Sequence, residues 1–140
     1  LAIFPNGEAA IFDREGELDW NGAFEYHDEP VKNIALEGKY FWSVCPNENC
    51  VIRYSSQNMG VDLRIGGKET DTFLNPTHVS LDENDIFVCC DNNKVRRIDS
   101  NNYTVSDYLN FTDSIKSYFK FGDFAIAVMA SGTYVLENNQ

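Results

Sequence analysis

This sequence is poor in the residue types from which most active sites, nucleic-acid surfaces and membrane spans are built. It has two histidines, His27 and His78, and four cysteines in 140 residues. No nucleophile–base pair, phosphate-cradling glycine loop or pair of close carboxylates can be assembled from its spacing, so no catalytic residue and no cofactor is expected. Lys and Arg number 11 against 22 Asp and Glu, a net charge of −11. Phosphate contacts dominate nucleic-acid affinity, so this balance argues against a nucleic-acid partner. Nowhere do about 18 apolar residues run together, which leaves no membrane-spanning helix. Helical periodicity is equally scarce. Residues 113–118 are the one candidate, and they read better as the opening of a strand.

What is present is β structure, repeated. Ile34-Ala35-Leu36 precedes Tyr40-Phe41-Trp42-Ser43-Val44, as Val79-Ser80-Leu81 precedes Ile86-Phe87-Val88. Tyr118-Phe119-Lys120-Phe121 stands in the same relation to Phe124-Ala125-Ile126-Ala127-Val128. The repeat is roughly 38 to 46 residues, the length of a four-stranded propeller blade. A polar turn and a third strand follow each pair, at 51–55, 95–99 and 133–137. Fourth strands are predicted near 61–65 and 103–111. The second strands 40–44 and 124–128 are near-continuous apolar runs, which predicts burial on both faces. Residues 2–12 lie over 127–137 without a gap, both reading as hairpins with glycine in the turn.

The residues from 65 to 99 resemble the NHL-type repeat of six-bladed β-propellers. Ile65-Gly66-Gly67, Phe73, Pro76, Val79, Asp82, Ile86-Phe87-Val88 and Asn93 follow that repeat's order, with Arg97-Ile98 one residue out of step. Cys89-Cys90 stands where the repeat has Ala-Asp. The resemblance implies an all-β chain of four-stranded antiparallel blades. We place a single segment over 1–140, with a partial blade at 1–30, blades at 31–67 and 76–111, and a partial blade at 115–140. Three blades and a remainder would leave an apolar blade face open, so a fragment of a larger propeller is expected.

A repeat scaffold with varied polar turns predicts a non-enzymatic binding module for a protein or peptide partner, or for the remainder of its own propeller. The alternative is a propeller lyase or hydrolase, or a small-ligand sensor, with a central-channel site. His78 would anchor that site, since it opens an inner strand after the Pro76 turn. Asn33 and Lys116 or Ser117 hold the equivalent positions and make no ligand set with it, so a structural histidine is the plainer reading. Trp42, Arg96 and Arg97 complete the ligand-binding candidates. Against them stands inter-blade packing, which consumes most propeller aromatics.

Cys45 and Cys50 flank a hairpin turn and would pair as a disulfide if the protein is secreted. Metal is not expected, because adjacent Cys89 and Cys90 point to opposite faces of a strand. The oxygen-rich turns 82–85 and 91–93 lack the glycine of a calcium loop and read as ordinary turns.

Overall fold

The structure is a computed structural model that describes residues 2–4 and 6–137. Sixteen strands follow one another: β1 (Ala2–Ile3), β2 (Glu8–Phe12), β3 (Leu18–Ala23), β4 (Glu25–Tyr26), β5 (Glu29–Pro30), β6 (Lys32–Glu37), β7 (Tyr40–Cys45) and β8 (Cys50–Ser55). Then come β9 (Gly60–Gly66), β10 (His78–Asp82), β11 (Asp85–Cys90), β12 (Lys94–Asp99), β13 (Val105–Asn110), β14 (Ile115–Phe121), β15 (Phe124–Met129) and β16 (Gly132–Glu137). They form antiparallel meanders in chain order: β1-β2-β3, the small β4-β5 hairpin, β6 to β9, β10 to β13, and β14-β15-β16. The fold is all-β, built on four-stranded antiparallel sheets.

Period-two alternation gives the two four-stranded sheets two apolar faces each, and each of those faces finds a neighbour. On β7 and β8, Phe41, Cys45, Ile52 and Tyr54 turn back toward Ala9, Ile11 and Trp20 of the first sheet. Trp42, Val44 and Val51 turn forward and meet Ile86, Val88, Cys90 and Ile98 of the next four-stranded sheet. That sheet repeats the rule. Phe87, Cys89 and Val95 face forward onto Tyr118, Ala125, Ala127 and Met129. Each large apolar side chain buried this way contributes about 1.5–3 kcal/mol, so the stack rather than any single sheet carries the stability.

Phenylalanines from the connections complete these layers. Phe24 after β3 and Phe73 after β9 are buried, and Phe111 after β13 is half-buried, each in the cluster between its sheet and the next. The chain passes Phe73 closely. A Cβ on Gly66 (φ +87°) would lie 2.8 Å from the Phe73 ring and 2.9 Å from the Asn49 carbonyl oxygen.

Polar bonds tie the first strands of successive sheets together. The Val79 N–H donates to Asn33 Oδ1 at 2.7 Å, and Ser80 Oγ donates to the Tyr118 carbonyl at 2.5 Å. Lys120 pairs with Asp82 at 2.9 Å.

Two expectations need correction. The β15 run is buried on one face only: Ala125, Ala127 and Met129 are buried, Ile126 and Val128 are half-buried, and Phe124 is exposed. Among the described residues no further sheet stacks on its forward face. The gapless overlay of the two terminal hairpins also fails by one residue. Ala2 faces Ala10, whereas its counterpart Ala127 faces Tyr134. Gly7 (φ +87°) lies in a longer turn, while Gly132 already pairs with Met129 as the first residue of β16. Pro5 and residues 138–140 of the overlay and the last blade lie outside the described residues.

The turns between first and second strands make one stability prediction. Gly38 and Gly122 take φ +58° at the first turn position, and Glu83 takes φ +47° at the same place. A left-handed conformation costs a side-chain-bearing residue roughly 1–2 kcal/mol, part of which glycine returns as unfolded-chain entropy. Glu83→Gly is therefore expected to raise stability by about 0.5–1 kcal/mol, read as a higher midpoint in urea unfolding; a lower midpoint would refute it.

Candidate functional site

His78 opens β10, facing Cys89 in the register. Its ring is buried and meets Phe119 edge-on at 4.9 Å between centroids. Nδ1 has no hydrogen-bond partner among the described residues, and burial pulls the imidazole down to about 4, so it is neutral at physiological pH. Trp42 is 0% exposed and lies inside the sheet–sheet layer.

Arg96 and Arg97 leave opposite faces of β12. Arg96 pairs with Asp107 at 3.2 Å and donates to the Thr72 carbonyl. Arg97 pairs with Asp85 at 2.9 Å and Asp99 at 3.5 Å. The four candidates are thus not brought together. His78 belongs to the inner edge, Trp42 to one inter-sheet layer, and the two arginines to the two sides of another sheet. Cys45 and Cys50 face each other across β7 and β8 as free, buried thiols.

A neighbour of Trp42 went unnoticed in the sequence. Arg53 stands opposite Trp42 in the register, as Arg97 stands opposite Phe87. Its guanidinium carbon lies 4.2 Å from the Tyr40 ring centroid and 5.5 Å from those of Trp42 and Tyr103. Nε and Nη2 donate to the Asp62 carboxylate at 3.0 and 3.2 Å, and Nη1 donates to Tyr103 Oη at 2.9 Å. Each of its three nitrogens is bonded within the chain and three rings surround the guanidinium, so Arg53 joins two sheets. The recurring aromatic opposite an arginine was the signal that could have found it.

Between strands β12 and β13 of one sheet and β14 to β16 of the next lies a cleft of about 670 Å³, lined by Arg97, Tyr108, Tyr118, Lys120, Phe124 and Glu137. Both cations in it are held by carboxylates, Arg97 by Asp85 and Asp99, Lys120 by Asp82.

The turns from first to second strand tell a different story. β6, β10 and β14 lie side by side, so these three turns emerge at one end of the stack. Leu36 is 56% exposed beside the first of them, and Phe121 and Phe124 are 61% and 54% exposed around the third. Glu83 and Asp123 are exposed in the second and third turns, with Glu37 half-buried beside the first. These exposed apolar side chains, with three carboxylates and Lys39 around them, form a surface that Phe124 joins to the edge of the cleft.

No family model and no curated protein sequence matches this chain. Solved structures do. The computationally designed Ika4 protein superposes with a TM-score of 0.67 at 11% identity, over 94% of this chain and 80% of its own. Saccharomyces cerevisiae Sqt1 gives 0.66 at 14% identity, over 96% of this chain and 40% of its own. The β-propeller domain of Myceliophteria thermophila Cps50 (Swd1) gives 0.65 at 12% identity, over 94% of this chain and 46% of its own. The fold is a β-propeller. This chain spans less than half the length of the two natural proteins. In propeller terms β6, β10 and β14 are the innermost strands of successive blades, and Leu36, Phe121 and Phe124 flank turns on one rim.

Proposed function

We propose that this propeller is a non-catalytic scaffold that presents its rim turns to a protein or peptide partner. The observation that carries this reading is the rim itself: Leu36, Phe121 and Phe124 exposed among Glu37, Glu83 and Asp123. Single exposed apolar residues are ordinary, but three large ones beside turns at one end of a repeat scaffold are what a partner would cover. The carboxylates and the net charge of −11 favour a partner segment that is basic and apolar, and they repel a phosphate backbone. The lyase or hydrolase alternative gains nothing from His78, whose ring packs on Phe119. Within the propeller class, the order Gly66-Gly67, Phe73, Pro76 supports an NHL-type repeat, and burial of Phe73 against Gly66 gives that order a packing role.

Fluorescence anisotropy with labelled 12-residue peptides carrying Lys/Arg and aromatic residues tests the proposal. Binding is expected to weaken at least tenfold in the Phe121→Ser/Phe124→Ser double variant, a loss of about 1.4 kcal/mol or more. Binding should also weaken with added salt. Equal binding by wild type and double variant, or none by wild type at about 100 μM, would reject this rim as the contact.

A further inference from the structure

We propose that Cys45 and Cys50 are a dithiol site that closes reversibly into a disulfide across the tip of the β7–β8 hairpin. The inference is independent of the partner reading above. The two residues face each other in the register and bracket a single short turn, Pro46–Glu48 with Asn49 at φ +52°. Facing residues of an antiparallel pair have Cα atoms about 4.5–5.5 Å apart, inside the roughly 4.4–6.8 Å span of disulfides. Both side chains lie in the same buried cluster, close enough that each acts on the other's ionisation. Closure therefore needs side-chain rotation but no change of fold.

The other two cysteines provide a contrast inside the same chain. Cys90 closes its strand as Cys45 does, yet the residue facing it is Lys94. Cys89 and Cys90 point into different layers, one toward Ala127 and the other toward Trp42. Burial lifts their thiols to about 12 and about 11. Cys50 differs: the neighbouring Cys45 thiol favours its thiolate, burial opposes it, and the Arg64 guanidinium on the adjoining strand β9 favours it again, the net direction being downward. Cys50 is thus the attacking sulfur and Cys45 the resolving one.

The oxidant is a low-molecular-weight disulfide, with glutathione disulfide as the probe. The Cys50 thiolate attacks one sulfur of glutathione disulfide; that S–S bond breaks, one glutathione thiolate leaves, and a Cys50–glutathione mixed disulfide forms. Cys45 gives up its proton and attacks the Cys50 sulfur, expelling the second glutathione thiolate. The protein loses two electrons and two protons, and glutathione disulfide becomes two glutathione thiols. Both cysteines are fully buried, so the reaction requires the tip to open transiently at Asn47, its exposed residue. The tip also reaches two inter-blade connections: the Asn47 N–H donates to Glu29 Oε1 at 3.1 Å, and Asn49 Oδ1 accepts from the Asn75 N–H at 2.9 Å. An oxidised tip would hold both contacts against fraying.

The test equilibrates the native chain with glutathione buffers of increasing oxidised fraction, followed by acid quench, alkylation in denaturant and tryptic mapping. Cleavage after Lys39, Arg53, Lys68 and Lys94 puts Cys45 and Cys50 in one peptide, 40–53, and Cys89 and Cys90 in another, 69–94. The expected result is a 40–53 peptide lighter by two hydrogens and unalkylated, restored by dithiothreitol, while 69–94 carries two alkyl groups throughout. The oxidised chain should melt on the order of 5 °C higher. In Cys45→Ser, Cys50 should retain the glutathione adduct, whereas in Cys50→Ser, Cys45 should stay alkylatable. Full alkylation of 40–53 at the most oxidising ratio, or oxidation of 69–94 first, would overturn the proposal; the wild-type map decides even if the variants misfold.

Discussion

Trp42→Ala is expected to lower unfolding stability by about 4 kcal/mol, the largest loss from any single side chain here. Trp42 is fully buried at the contact between two blades, among Val44, Val51, Phe73, Val79, Ile86 and Val88. Its removal opens a cavity that rigid β sheets on both sides cannot fill, and cavity volume sets the cost of such truncations. It also strips one aromatic wall from Arg53, whose remaining rings are Tyr40 and Tyr103. Trp42→Phe isolates the packing from the polar cost. The indole Nε1 has no hydrogen-bond partner, so phenylalanine loses some volume but removes a buried orphan donor, and the net change should stay within about 1 kcal/mol. Urea unfolding followed by circular dichroism gives both numbers. A Trp42→Ala midpoint within error of wild type would mean the two blades are not held together at this layer.

That layer also shows why the fold was readable and the site was not. A repeating pair of apolar strands with glycine, proline and asparagine turns fixes β meanders locally. Val79-Ser80-Leu81 and Ile86-Phe87-Val88 pair as the pattern requires. Forward and backward facing residues follow from period-two alternation alone. Which faces remain uncovered is a tertiary fact, and the apolar run of β15 looked like any other inner strand although Phe124 faces solvent. The turn register misled for the same reason. Gly7 and Gly132 match in a sequence overlay, but one lies in a turn and the other in a strand. Candidate residues chosen by chemical type fared as such choices do in a scaffold. Arg96 and Arg97 were ligand-binding candidates, yet Asp107 and Asp85, 11 and 12 positions away in the chain, neutralise them across strands. Leu36 and Phe121 carry no chemical signature at all, and only their exposure marks them.

His78 supplies the second large effect, expressed through pH. Its imidazole titrates near 4 in the folded chain because burial disfavours the charged ring, against an ordinary value of 6.5. Between those values the unfolded chain binds the proton and the folded chain does not, so stability rises with pH across this window. The contribution is complete above 6.5 and is lost progressively as pH falls toward 4, where the folded ring also charges. At about 1.4 kcal/mol per pKa unit, the span from 6.5 to about 4 sets a ceiling of about 3.5 kcal/mol. Phe119 stands against the ring and offers the imidazolium no carboxylate to offset its burial. His78→Leu removes the titration and the orphan Nδ1 together, so near pH 7 it should be nearly neutral or slightly stabilising. The other histidine, His27, keeps an exposed side chain beside Glu48 and remains in both proteins, as do all the carboxylates. The wild-type minus variant difference in unfolding free energy therefore isolates His78. It should be flat above pH 7 and fall by up to about 3 kcal/mol between pH 6.5 and 4. Parallel curves for the two proteins across that window would show that the ring is solvated in the folded chain, and that His78 does not close the inner edge of its blade.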